Sequence, residues 1–122
     1  MSFEDLKKYI SDLCIQVYGL EPKKITPFQR TFSITINTAF SPAPSNAIDF
    51  GNPVFIRSFQ FAHSKKVAGM ENFIAFGITS PTSKTMQVRY NTELDLLCRY
   101  LKVTSSESGD TDITIVGYQC SF

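Results

Sequence analysis

The spacing of the apolar residues changes once along this chain, and that change decides what it can fold into. Phe3, Leu6, Ile10, Leu13 and Val17 recur at alternating steps of three and four, which aligns them along one side of an α-helix. From Phe28 onward the step falls to two. In the stretch FQRTFSITINTAF, Phe28, Phe32, Ile34, Ile36 and Phe40 share one parity, and Gln29, Thr31, Ser33, Thr35 and Asn37 share the other. That is the period of a pleated strand with one wet face. A chain that opens with one helical period and then keeps a strand period cannot build a parallel α/β fold, because no helical pattern separates its later strands.

The helix carries its own punctuation. Ser2 is placed to cap the first turn, Glu4 and Asp5 suit its positive end, Gly19 suits a left-handed cap, and Pro22 cannot continue the hydrogen bonding. The stripe admits two uses. Its steps match the a and d positions of a heptad, so Phe3, Leu6, Ile10, Leu13 and Val17 form a candidate oligomer interface. The other reading makes them the buried side of an amphipathic helix lying on its own domain or on a neighbouring subunit.

Further strands are expected in VFIRSFQFAH, FIAFGIT, TMQVRYN, CRYLKVTS and DITIVGYQCSF. In the first of these, Phe55, Phe59 and Phe61 share a parity opposite to Val54 and Ile56. TELDLL is open to a helical turn or a strand start. SPAPSNAIDFGNP, with three prolines in thirteen residues, reads as a long surface loop of the kind that often binds. The expected architecture is therefore mainly β: an antiparallel β-sandwich of jelly-roll type preceded by one amphipathic helix. Its parts are a helix over 1–20, a linker over 21–27 and a sandwich over 28–122. At 122 residues such a chain buries roughly two-thirds of its unfolded surface without metal or disulfide support. Ile113, Ile115 and Gly117 face one way in the last strand and Thr114, Val116, Tyr118 and Cys120 the other, so that strand should be interior or covered by a neighbour.

Composition removes several function classes. Twelve basic against eleven acidic residues leave a formal charge of +1, too little to steer nucleic acid or anionic lipid to the surface. No apolar run approaches the roughly 18 residues of a membrane span, and the opening MSFEDLKK lacks the charged-then-apolar order of a secretion signal. Synthesis in a cytoplasm is expected. His63 is the only histidine, so a histidine-dependent nucleophile has a single place to be, and a structural or surface role at the end of a strand accounts for it better. Glu93 with Asp95 and Asp110 with Asp112 are the carboxylate pairs that glycosidase chemistry would need. A solvated edge explains the first pair and a turn the second. No calcium-loop or phosphate-cradle motif occurs, and neither a metal nor a cofactor is expected. Cys14, Cys98 and Cys120 read as small apolar fillers in a reducing compartment, with a Cys98 to Cys120 disulfide as the alternative. Tyr90, Tyr100 and Tyr118 each stand on a strand beside polar residues and form a candidate ligand platform.

The segment RYLKVTSSESGDTDITIVGYQCSF resembles the final hairpin of small β-sandwich structural proteins of phage and other viral particles. In these an R-Y-[LI]-[RK] strand is followed by a Ser/Gly-rich turn and a T-I-V-G-Y strand. The resemblance implies a non-enzymatic particle component: a small capsid, penton, decoration or fibre protein, assembled in the host cytoplasm into a virion through symmetric contacts with its own copies and other subunits. Carbohydrate-binding sandwich domains share part of the pattern. A glycan- or receptor-binding module is accordingly the second expectation, although the chain lacks Trp and a calcium loop.

Overall fold

The computed structural model describes residues 2–36, 47–65, 67–78, 84–88 and 91–122. Helix α1 spans Phe3–Tyr18, and six strands follow: β1 Lys24–Ile36, β2 Ala47–His63, β3 Asn72–Gly77, β4 Lys84–Val88, β5 Asn91–Ser105 and β6 Gly109–Ser121. The protein is mainly β, as its alternation predicts. The helix caps are those read from sequence. Ser2 Oγ accepts from the Asp5 amide at 3.2 Å. Gly19 takes φ 70° and donates its N–H to Ile15 O, a backbone conformation open to glycine at little cost.

All six strands join one antiparallel sheet in the order β1-β6-β2-β5-β3-β4. Among the described residues this single sheet stands where the two sheets of a jelly roll were expected. One face of this sheet carries a cluster to which every strand contributes, from Ile36 on β1 and Phe59 on β2 to Ile74, Val88, Leu101 and Ile113. On this side Ile36 and Val88 of the two edge strands are 5% and 3% exposed, while Phe28, Phe32 and Ile34 of β1 are half-buried. A flat sheet would leave such a face wet, and the register breaks in β2 are bulges of the kind that let a strand bend over it.

Those breaks correct two expectations. Residues 41–46 of the expected loop lie outside the described residues, as does Phe40, but Ala47–Pro53 belong to β2. The register with β5 shifts between Asp49 and Val54. Within the shift Asp49 Oδ1 accepts from the Gly51 amide, and Phe50 O accepts from Gln119 Nε2. The Gly-Asn-Pro cluster is thus a bulge inside a strand, where glycine and proline are tolerated.

The second shift falls between Ile56 and Ser58, where β2 carries one more residue than β6, and it reverses the parity of β2. Val54 and Ile56 therefore lie in the same cluster as Phe59 and Phe61. Phe55, expected beside those two, faces the opposite side and the helix. Two smaller differences follow: β1 begins at Lys24 within the expected linker, and Asp110 and Asp112 lie in β6 rather than in a turn. TELDLL takes the strand of its two readings.

On the outer face α1 lays Leu6, Ile10 and Cys14 against Phe55 and Cys120, flanked by Leu13, Ile25, Leu97 and Tyr118. The helix lies on its own sheet. β6 is interior, between β1 and β2, and its Ile113 and Ile115 join the large cluster. Gly117 permits the close passage of β2. A Cβ there would meet the Phe55 carbonyl and come within 3.1 Å of Ile56 Cα.

Candidate functional site

Strand register lays the outer face out in rows. The row Pro27, Tyr118, Phe55, Leu97 lies across β1, β6, β2 and β5 and includes three members of the helix cluster. The next row is Gln29, Val116, Ser58, Glu93, and after it come Thr31, Thr114, Gln60, Asn91. These two rows are polar apart from Val116. From the second of them onward side chains bond in pairs across β1 and β6: Thr31 Oγ1 with Thr114 Oγ1 at 3.0 Å, Ser33 to Asp112 at 2.7 Å, and Thr35 to Asp110 at 2.9 Å. Asp110 and Asp112 therefore accept hydroxyl bonds along a solvated ladder.

Where the helix ends and the polar rows begin there is an open groove of about 740 Å³. Phe3, Leu6, Val116 and Tyr118 form its apolar wall, and Gln29 and Arg57 are among its polar groups. The Phe3 and Tyr118 rings stand 5.5 Å apart at 44°. Arg57, the residue at the parity change, is exposed and holds Asp95 at 3.3 Å. The groove thus sets half-exposed aromatic rings beside amide, hydroxyl and charged groups, a combination suited to a polar ligand with an apolar face.

The sequence-derived candidates are distributed differently from expectation. Leu6 and Ile10 are buried in the protein's own fold and Leu13 flanks them, so these three do not present the expected oligomer interface. Packing against β6 and β2 removes them. Phe3 and Val17, 46% and 47% exposed, remain at the surface. Of the tyrosines, Tyr90 lies outside the described residues. Tyr118 packs beside Phe3, whereas Tyr100 pairs with Asp49 and Gly77 and has the Arg99 guanidinium 5.0 Å over its ring. Tyr100 and Tyr118 have different neighbours. The groove's Arg57 and the use of Phe3 as a groove wall were not read from sequence. The signal available was the apolar run Val54, Phe55, Ile56 followed by Phe59 and Phe61, which fits no single alternation.

His63 is buried, with both ring nitrogens engaged by backbone: Nδ1 accepts from the Lys65 amide at 2.9 Å, and Nε2 lies 3.0 Å from Glu107 O. The first bond places the proton on Nε2, which donates to the carbonyl. The ring ties the end of β2 to the β5–β6 turn. Asp49 and Arg99 bond through Nε and Nη2 at 3.0 and 3.3 Å, and this bond holds the Asp49 carboxyl below its ordinary range.

Cys98 lies in the large cluster and Cys120 in the helix cluster, on opposite faces of the sheet, so the alternative Cys98 to Cys120 bond is excluded. Burial pushes both thiols up to about 12. Among the described residues no three His, Cys, Asp or Glu side chains gather as a metal site would require. No protein-family model matches this chain, and none of the curated proteins compared with it is similar to it.

Proposed function

We propose that this protein is a non-enzymatic structural component of a viral particle, foremost of a phage, acting through symmetric contacts between copies and assembled in the host cytoplasm. The observation that supports the reading is the edge strand β1. It is thirteen residues long and pairs only with β6 among the described strands. Its first residues are joined to an apolar surface: Lys23 donates to Ser121 O, the Tyr18 and Phe122 rings are 5.4 Å apart, and Val17, Leu20 and Phe122 are 47%, 58% and 39% exposed. Long open edges are normally blunted or used for pairing with another chain. An apolar margin beside one adds area to such a contact. Light scattering at tens of micromolar tests the reading. It expects an oligomer that Val17→Asp with Leu20→Asp dissociates, and a monomeric wild type would overturn it.

A second reading, a glycan- or receptor-binding module, is favoured by the groove, where Phe3 and Tyr118 face polar rows. It expects glycan-array binding that Phe3→Ala or Tyr118→Ala abolishes. A blank array, or binding that both variants retain, removes it.

A further inference from the structure

Cys14 sits on the fourth turn of α1 and Cys120 next to the last residue of β6, separated by 106 positions in sequence, yet their sulfurs are 3.7 Å apart. Both side chains are fully buried in the small cluster that joins helix to sheet. Two unrelated elements thus bring their thiols into van der Waals contact, and a bond between them requires the sulfurs to close from 3.7 Å to roughly 2.05 Å. We propose that Cys14 and Cys120 are an oxidative modification site, in which an external low-molecular-weight disulfide converts the thiol pair into an intramolecular bond that latches α1 onto β6.

The exchange balances in two steps. When the helix opens locally, the Cys14 thiolate attacks the external disulfide, forming a mixed disulfide and releasing one external thiol. The Cys120 thiolate then attacks the Cys14 sulfur, forming the protein bond and expelling the second external thiol. The two protein thiols lose two electrons and two protons, and the reagent gains them as two free thiols. Burial raises both groups above the ordinary thiol range, so the reaction waits on helix opening and runs at its frequency. Cys98 is the internal control, because the sheet itself separates it from the other two.

The bond closes a loop of more than a hundred residues, which removes substantial freedom from the unfolded chain. The experiment uses the full chain, reduced and then incubated with oxidised glutathione. The protein is next unfolded, alkylated with iodoacetamide and mapped by mass spectrometry. The expected product is a monomer lighter by two hydrogens, with a linked Cys14–Cys120 peptide, alkylation at Cys98 alone, and a melting temperature higher by about 10 °C or more that dithiothreitol reverses. Cys98→Ser should keep the link, and Cys14→Ala should lose it. Three alkylated cysteines, a link through Cys98, or a linkage found only between chains would each overturn the proposal, and none of these readouts depends on a variant that folds poorly.

Discussion

Replacing Gly117 by alanine adds one methyl group where there is no space for it. The methyl would fall inside contact of the Phe55 carbonyl oxygen, 2.9 Å from Phe55 C and 3.1 Å from Ile56 Cα. All three are main-chain atoms of the neighbouring interior strand, so no rotamer change relieves the overlap. β2 has to withdraw by an ångström or more. Overpacking a filled interior costs about 1–3 kcal/mol, and one or two weakened ladder bonds at Ile56 and Gly117 add about 1 kcal/mol each. The sum, about 2–5 kcal/mol, is a large share of the roughly 6–18 kcal/mol expected of 122 residues. Urea unfolding followed by circular dichroism should show the midpoint of Gly117→Ala lowered by about 2 M at an ordinary slope. Phe55→Ala in the same background should give no rescue, since the obstruction is backbone. A midpoint within about 0.3 M of wild type, or full rescue by Phe55→Ala, would refute the reasoning.

Ile10→Ala, at a fully buried position on the helix's contact side, should cost about 2–4 kcal/mol and speed amide exchange in α1 before the rest of the sheet. Tyr18 Oη is buried without a hydrogen-bond partner among the described residues, so Tyr18→Phe should raise stability by about 1 kcal/mol in the same urea assay. The folded Asp49 carboxyl is depressed by its bond to Arg99. Its contribution is therefore complete above about pH 4 and is lost as pH falls through the folded value. Asp49→Asn should lower stability slightly at neutral pH and converge with wild type at low pH, which flattens the acid limb of the stability profile. Deleting residues 118–122 removes Tyr118 and Cys120 from the helix cluster and should lower the melting temperature by 10 °C or more, as a thermal scan would show.

The sequence displays elements that obey one rule along their whole length. Helix α1 carries a steady stripe and both caps, and β6 alternates cleanly from Thr111 to Gly117, so each was legible. β2 was not, because its rule changes partway. The extra residue at Arg57 exchanges the two faces, and the Gly51–Pro53 bulge resembles a loop when composition alone is read. The division into two sheets was inferred from strand count and turns. The curvature that lets one sheet enclose its own core comes from register shifts, which depend on partners hundreds of atoms away in the chain. The groove was hidden for the same reason: Phe3, Arg57 and Tyr118 meet only after β2 has changed parity and the helix has settled on the outer face. The contact between Cys14 and Cys120 needs both events as well.

The hydroxyl and carboxylate ladder between β1 and β6 is ambiguous as an alignment signal. Sliding β1 by two residues would set Thr31 against Asp112 and Ser33 against Asp110, so a donor would again meet an acceptor at each step. The same slide moves Phe28 away from Gly117, its partner in the folded chain, and places it opposite Ile115. The bonded pairs therefore hold the edge strand firmly once it is seated but do not determine where it seats. That choice falls to apolar contacts such as those of Phe28 against the large cluster, and a population of slipped edges is the expected signature of a variant that removes that side chain.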